Sequence, residues 1–291
     1  MPIYDYDGTT YHEMGWMADW NGTANHQFSK IYDNDGTTNY LIYGTSIPIG
    51  AVSYSGTKEV IDDGNDNWRM KLKTVGTATL TFTQDGEIDI FLVGGGGGGS
   101  GFGGNGSSGG GGGYTKSYGG ISVKANTSYS VTVGAGGERA GGLYNGGGDG
   151  GSSSITINDT TYSAAGGKGG TSQSTGGAGG SGGGGYCAAG GSDGSNGGSN
   201  VGAGGTGQGY STREFWELDN NTSATLYAGG GGAASNGSGG GNAGGSGGGG
   251  ASGLSGTDYL GGGGGGSNQF NENRHNPGAG GCGIIVIRNA R

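Results

Sequence analysis

The chain has 291 residues, 85 of them glycine, with 29% hydrophobic residues, 12% charged residues and a net charge of −9. An ordinary globular domain is about 45–50% apolar, so an oily core of the usual size is excluded. No Lys/Arg stripe or basic patch is present, which speaks against nucleic acid or an anionic membrane as a partner, and so low a charge is unlike ordinary disorder.

Residues 1–43 carry a repeat. The stretches "DYDGTTYHEM" from Asp5, "DWNGTANHQF" from Asp19 and "DNDGTTNYLI" from Asp33 align with a period of 14, superposing Gly8, Gly22 and Gly36. Asp-Gly or Asn-Gly between aromatic and apolar residues predicts hairpin turns. A unit of that size buries no face alone, so the module, taken as 1–50, is expected to stack on itself or on other copies and to serve assembly or attachment. His12 and His26 share one repeat position and read as strand surface residues. The Asp-x-Asp-Gly pieces and "DDGNDN" at 62–67 lack the full spacing and distal Glu of a calcium loop. They read as turns, and no metal or cofactor is expected. "MPIYDYDGTT" has neither the basic nor the apolar region of a secretory signal, and no run approaches the ~18–20 apolar residues of a membrane helix. Neither export nor membrane insertion is expected.

Residues 51–93 read as a β base. "ATLTF" at 78–82 and "EIDIFLV" at 87–93 alternate apolar and polar residues across the turn "TQDG". "GIIVIRNAR" at the other end is a short apolar strand. The two flanks are expected to meet in one sheet, 284–291 completing the base, with 94–283 inserted between them.

That insert holds 75 of the glycines, in pure runs at 94–99, 109–113, 182–185, 229–232 and 261–266 and in triplets such as "GGDGGS", "GGKGGT" and "GGAGGS". A three-residue period matches the extended left-handed helix that has no internal hydrogen bonds. Collagen is excluded, because the chain has only 3 prolines. The remaining reading is polyglycine II: parallel spirals that satisfy one another's backbone groups sideways, pure runs inside and GGX triplets outside. The expected fold is therefore all-β with a polyglycine II bundle and no significant α-helix.

Hairpin-like alternation at 121–134 and 152–167 belongs at the sheet end. Counting one crossing per glycine run puts 102–108, 138–145, 171–175 and 267–277 at the distal end. Distal candidates for binding are Phe270, Asn271, Asn273, Arg274 and His275, with Arg139, Leu143 and Tyr144. Their rings and polar groups suit a surface glycan or polymer. The island 207–230, with Tyr210, Phe215, Trp216 and Tyr227, fits either an exposed binding loop or a hairpin covering the sheet end. Cys187 and Cys282 read as small buried residues kept reduced, pairing only in an oxidising medium; 2 thiols and 3 histidines make no convincing zinc site.

The segments "WRMKLKTVGTATLTF", "DIFLVGGGGGGSG", "SVTVGAGG", "TREF…TLYAGGGG" and "GIIVIRNAR" together resemble the glycine-rich domains at the ends of bacteriophage tail-fibre proteins, over roughly 68–291. The repeats before them resemble N-terminal modules of the same kind of protein. The resemblance implies a β base carrying a polyglycine II bundle whose variable tip loops touch a host receptor. It implies localisation on the virion, after assembly in the host cytoplasm. Partners would be other virion proteins, through the N-terminal repeats, and a bacterial surface glycan or surface protein. A purely structural virion fibre is the alternative. A homotrimer is expected, because the hairpin repeats leave unpaired edges that symmetry would close.

No enzyme is expected. "GSSGG" at Gly106 and "GGSDG" at Gly190 match G-x-S-x-G, but neither lies between a strand and a helix, and no His partner follows at a hydrolase-like position. The carboxylates are scattered in turns rather than paired across a cleft.

Overall fold

The structure, a computed structural model, describes residues 47–104, 106–172, 175–185, 204, 212–219, 225–235, 241–270 and 273–290, with backbone strands within 3–44. The chain divides into two units, Met1–Ser46 and Ile47–Arg291.

In the first unit each repeat forms one antiparallel hairpin: β1 (Ile3–Tyr6) with β2 (Tyr11–Met14), β3 (Ala18–Trp20) with β4 (Asn25–Gln27), and β5 (Lys30–Asn34) with β6 (Asn39–Gly44). The registers repeat as well: Asp5 pairs with His12, Asp19 with His26 and Asp33 with Tyr40.

The second unit is built on two antiparallel five-stranded sheets. Its strands are β7 (Val52–Tyr54), β8 (Lys58–Gly64), β9 (Asn67–Leu72), β10 (Gly76–Phe82), β11 (Gly86–Val93), β12 (Gly106–Ser107), β13 (Thr115–Val123), β14 (Ser128–Val133), β15 (Ser153–Ile157), β16 (Thr160–Ala164), β17 (Ala234–Ser235), β18 (Asn268–Phe270), β19 (Asn273–His275) and β20 (Ile284–Asn289). One sheet has the order β16-β15-β14-β10-β7 and the other β13-β11-β20-β9-β8. Helix among the described residues is confined to a 3-10 turn, Ile49–Ala51, and one helical turn, α1 (Trp216–Asp219).

Strands β11 and β20 pair antiparallel, Val93 opposite Ile284, so both flanks of the glycine-rich insert leave the same end of two neighbouring strands in one sheet. Two-residue turns close β8–β9 at Asn65 and Asp66 and β15–β16 at Asn158 and Asp159. All four have positive φ, as such turns demand and as Asn and Asp tolerate. The "DDGNDN" stretch is thus a hairpin turn, with Asp62 accepting the Gly64 N–H at 2.8 Å.

One expected local pairing is corrected: 121–134 is not a hairpin, because β13 pairs with β11, whereas β14 pairs with β10 and β15. The strands on either side of "TQDG", β10 and β11, also lie in opposite sheets. Alternation reports which face a residue takes but not which strand lies beside it.

The main core fills the space between the sheets, with Met70, Leu72, Ile88, Ile90, Ile285 and Ile287 facing Leu80, Phe82, Val131, Val133 and Ile155. Fully burying one such side chain contributes about 1.5–3 kcal/mol. Strands β11 and β20 are buried on their other face too. There Phe91, Val93, Ile284 and Val286 pack with Phe215, Tyr227 and Ala228, the rings of Phe215 and Tyr227 lying 6.1 and 5.4 Å from that of Phe91. The described part of the 207–230 island is therefore a cover on the sheet and not a distal loop; Tyr210 lies outside the described residues.

Buried charges fasten that cover. Arg288, 2% exposed, donates from Nε to Asp89 at 2.9 Å and from a terminal nitrogen to Asp219 at 2.5 Å, with its guanidinium 4.1 Å from the Phe215 ring centre. Glu214, buried, accepts from Arg69 and from the Tyr227 hydroxyl, and pairs with Lys71 at 3.2 Å. Burial, together with the Glu214 carboxylate, holds the Tyr227 hydroxyl protonated well above the usual tyrosine range.

The glycine spans follow a different rule. Along 94–101 the N–H groups donate in rotation to three neighbours at 2.8–3.0 Å: Gly94, Gly97 and Ser100 to Tyr114, Gly111 and Ser108; Gly95, Gly98 and Gly101 to Gly151, Gly148 and Asn145; Gly96 and Gly99 to Gly281 and Gly278. The carbonyls rotate in step. Gly95 and Gly98 accept from Gly167 and Gly170, Gly96 and Gly99 from Gly137 and Ala140, and Gly97 and Ser100 from Gly264 and Ser267. The N–H partners run antiparallel and the carbonyl partners parallel, so this span is enclosed by six others. A Cβ placed on Gly95, Gly96 or Gly97 would lie 2.0–2.1 Å from a backbone oxygen of Ala135, Gly262 or Lys168.

Burial follows the same period. The pure runs 94–99, 109–113, 182–185, 229–232 and 261–266 are buried throughout, whereas Ala165, Lys168 and Thr171, and likewise Asp149 and Ser152, face solvent at every third position. Lys168 and Asp149 pair across adjacent triplet spans at 2.7 Å. Serine hydroxyls finish the lattice where it meets other structure. Ser153 Oγ accepts from Gly134 N–H at 3.0 Å and donates to Val93 O at 2.6 Å, at the point where β11 becomes glycine. Cys282 is a free thiol inside this body, and burial pushes it up to about 11; Cys187 lies outside the described residues.

Candidate binding site at the distal end

Hydrogen-bond register sets the level of each loop along the glycine body. Gly94, beside the sheets, is level with Tyr114 and Gly95 with Gly151; six residues further out, Ser100 is level with Ser108 and Ser267, and Gly101 with Asn145. The loops that follow Gly101, precede Asn145 and follow Ser267 therefore meet at the end away from the sheets.

Tyr144 N–H donates to Phe102 O at 3.2 Å and Ala140 N–H to Gly99 O at 3.1 Å, fixing the 141–144 turn on the first loop. Ser107 Oγ donates to Ser267 O at 2.6 Å, and β12 pairs with β17. The third connection is the hairpin β18–β19, with Asn268 opposite His275 and Phe270 opposite Asn273. Each loop is held by lattice bonds at its root, so the end is preorganised rather than merely exposed.

Between the loops lies a pocket of about 200 Å³. Its described lining mixes Phe102, Ala140, Leu143 and Pro277 with Ser267 and Asn276 and with the bare backbone of Gly101, Gly141 and Gly142. No charged residue is among its described lining. Phe102 is 5% exposed, so its ring is fixed, while Leu143 and Tyr144 are 43% and 63% exposed at the rim. Tyr144 also has a φ of 62°, which non-glycine residues seldom adopt.

The structure brings Leu143 and Tyr144 to this end, with Arg139 on the same loop and exposed. Phe270, Asn273, Arg274 and His275 sit in the β18–β19 hairpin, described here by its backbone; Asn271 lies outside the described residues. Phe102, Ser267, Asn276 and Pro277 line the pocket and were not singled out from the sequence as binding residues. Their signal was their position at the ends of glycine-rich spans, where the chain must leave the lattice. Among the described residues no group of His, Cys, Asp and Glu is placed to hold a metal ion, and no helix is long and apolar enough to cross a membrane.

No curated protein matches this chain. The model of the glycine-rich domain family matches residues 73–290, which takes in most of both sheets and the whole glycine lattice. The chain belongs to the glycine-rich domain family.

Proposed function

We propose that 94–283 is a bundle of packed polyglycine II helices and that the protein is a non-enzymatic bacteriophage fibre protein, an adhesin presenting its distal loops to a host cell surface. The observation that carries this reading is the convergence of three separately rooted loops around one pocket, at the end of the glycine body away from the sheets. The bonding direction that rotates once in three residues supports the polyglycine II assignment. A body joined by backbone hydrogen bonds is a stiff spacer, and its loops are free to vary without disturbing the lattice. The hairpin repeats of Met1–Ser46 are assigned to attachment within the virion, as a homotrimer. The receptor is a bacterial surface glycan or surface protein.

Fluorescently labelled full-length protein, titrated onto a panel of bacterial cells, tests the reading. Saturable binding to at least one strain is expected. Changing Leu143 and Tyr144 together to serine should weaken it at least tenfold, a loss of about 1.4 kcal/mol or more that fits a central anchor pair. Val60→Ser, on the exposed edge strand β8, should leave it unchanged. No saturable binding to any strain contradicts the proposal. Binding that ignores the tip change contradicts it too, and leaves a structural fibre whose tip is dispensable.

A further inference from the structure

We propose that the distal pocket takes a single neutral sugar ring, a hexopyranose at an end or branch of a surface glycan. This rests on the adhesive reading above and names the ligand class of the same end.

Size is the first argument. Pockets for drug-sized ligands run to about 300–1,000 Å³, and about 200 Å³ admits one ring rather than a length of polymer. Wall chemistry is the second. A pyranose has C–H faces and a rim of hydroxyls. The pocket's described lining combines Phe102, Leu143 and Pro277 with Ser267 and Asn276. An apolar protein side chain would match only part of that mixed lining. A phosphate or carboxylate would enter a pocket whose described lining carries no charge.

Glycine placement gives the third argument. A Cβ on Gly101 would lie 1.9 Å from Gly142 O, so Gly101 belongs to the lattice. A Cβ on Gly141 would meet nothing within 4 Å. Lattice contact therefore does not require glycine at 141, and the bare backbone there keeps the pocket open. Finally, Tyr144 is an exposed aromatic held at positive φ beside the pocket. Nothing in the lattice calls for a ring there, and an unfavourable backbone conformation is retained where it sets a functional group. A tyrosine offers an apolar face and a polar tip to a partner that is itself both.

Saturation-transfer NMR on the full chain with free glucose, galactose, mannose, rhamnose and their N-acetyl counterparts tests the proposal. At least one sugar should receive saturation, with a Kd on the order of 1–10 mM, equivalent to only a few kcal/mol. Gly141→Trp, which fills the pocket from a position with open space around it, should reduce that affinity at least tenfold without lowering Tm. Should it disturb folding, Leu143→Ala at the rim provides the same reading. Absence of any sugar signal that depends on Gly141 or Leu143 overturns the inference. If cells are still captured in that case, and Gly141→Trp prevents it, the adhesive reading stands and the occupant is a protein side chain. Sugar binding without cell capture supports the pocket assignment and removes the adhesive reading.

Discussion

Gly96→Ala is expected to destabilise the protein by more than about 3 kcal/mol, above the usual range for a single added methyl. Gly96 donates to Gly281 O at 2.9 Å, and its carbonyl accepts from Gly137 at 2.7 Å. The new methyl would lie 2.1 Å from Gly262 O and 2.4 Å from Gly262 C. Those are backbone atoms in a third span, tied by bonds of their own, so no rotamer change relieves the overlap. The sign matters as much as the size. At an unstrained position Gly→Ala stabilises a protein by about 0.4–1 kcal/mol through the unfolded chain. Gly141→Ala, with open space around its Cβ, should stay within about 0.5 kcal/mol of the parent. Denaturant midpoints of the two variants decide it, and a Gly96→Ala protein of parental stability would reject the close-packed lattice.

Arg288→Ala is expected to cost about 3–5 kcal/mol, the range for stripping one partner from a buried ion pair. Arg288 is 2% exposed and Asp89 5%. Without the guanidinium, Asp89 keeps the Gly120 N–H at 3.0 Å but no cation. Asp219 and the Phe215 ring lose the same partner, so the cover over β11 and β20 loosens with it. The exposed pair Lys124–Asp85 gives the contrast, with side chains 64% and 59% exposed. Lys124→Ala should change stability by less than about 1 kcal/mol. Equal effects from the two substitutions would mean that the cover is not held by its buried charges.

Much of the base was legible because its signals are local. Asn-Gly and Asp-Gly at a fixed period marked the hairpins of Met1–Ser46, and alternation marked β10 and β11. The apolar run of β20 pointed to a sheet shared with β11. What stayed hidden depended on partners distant in the chain. "FLV" and "IIVI" are continuously apolar, the mark of strands covered on both faces. That pattern required a cover but did not say that Phe215 and Tyr227 supply it. Pairing within 121–134 was misread because β13 and β14 find their partners in different sheets. The mixed lining of the distal pocket was illegible for the same reason: Phe102, Leu143 and Pro277 come together through span registers that no short window of sequence contains. Glycine run length, by contrast, translated directly into burial, because only a span without side chains can be enclosed on every side.

Amide hydrogen exchange of the full-length protein tests the central claim most directly, since the interior of 94–283 is held by backbone hydrogen bonds rather than side chains. The N–H groups of Gly96, Gly97, Gly110 and Gly111 each donate to another span at 2.8–2.9 Å. They should be protected to the same degree as those of β11 and β20, exchanging only when the whole unit opens. Exchange of these glycines at the rate of an unstructured chain, while the two strands stay protected, would contradict the account.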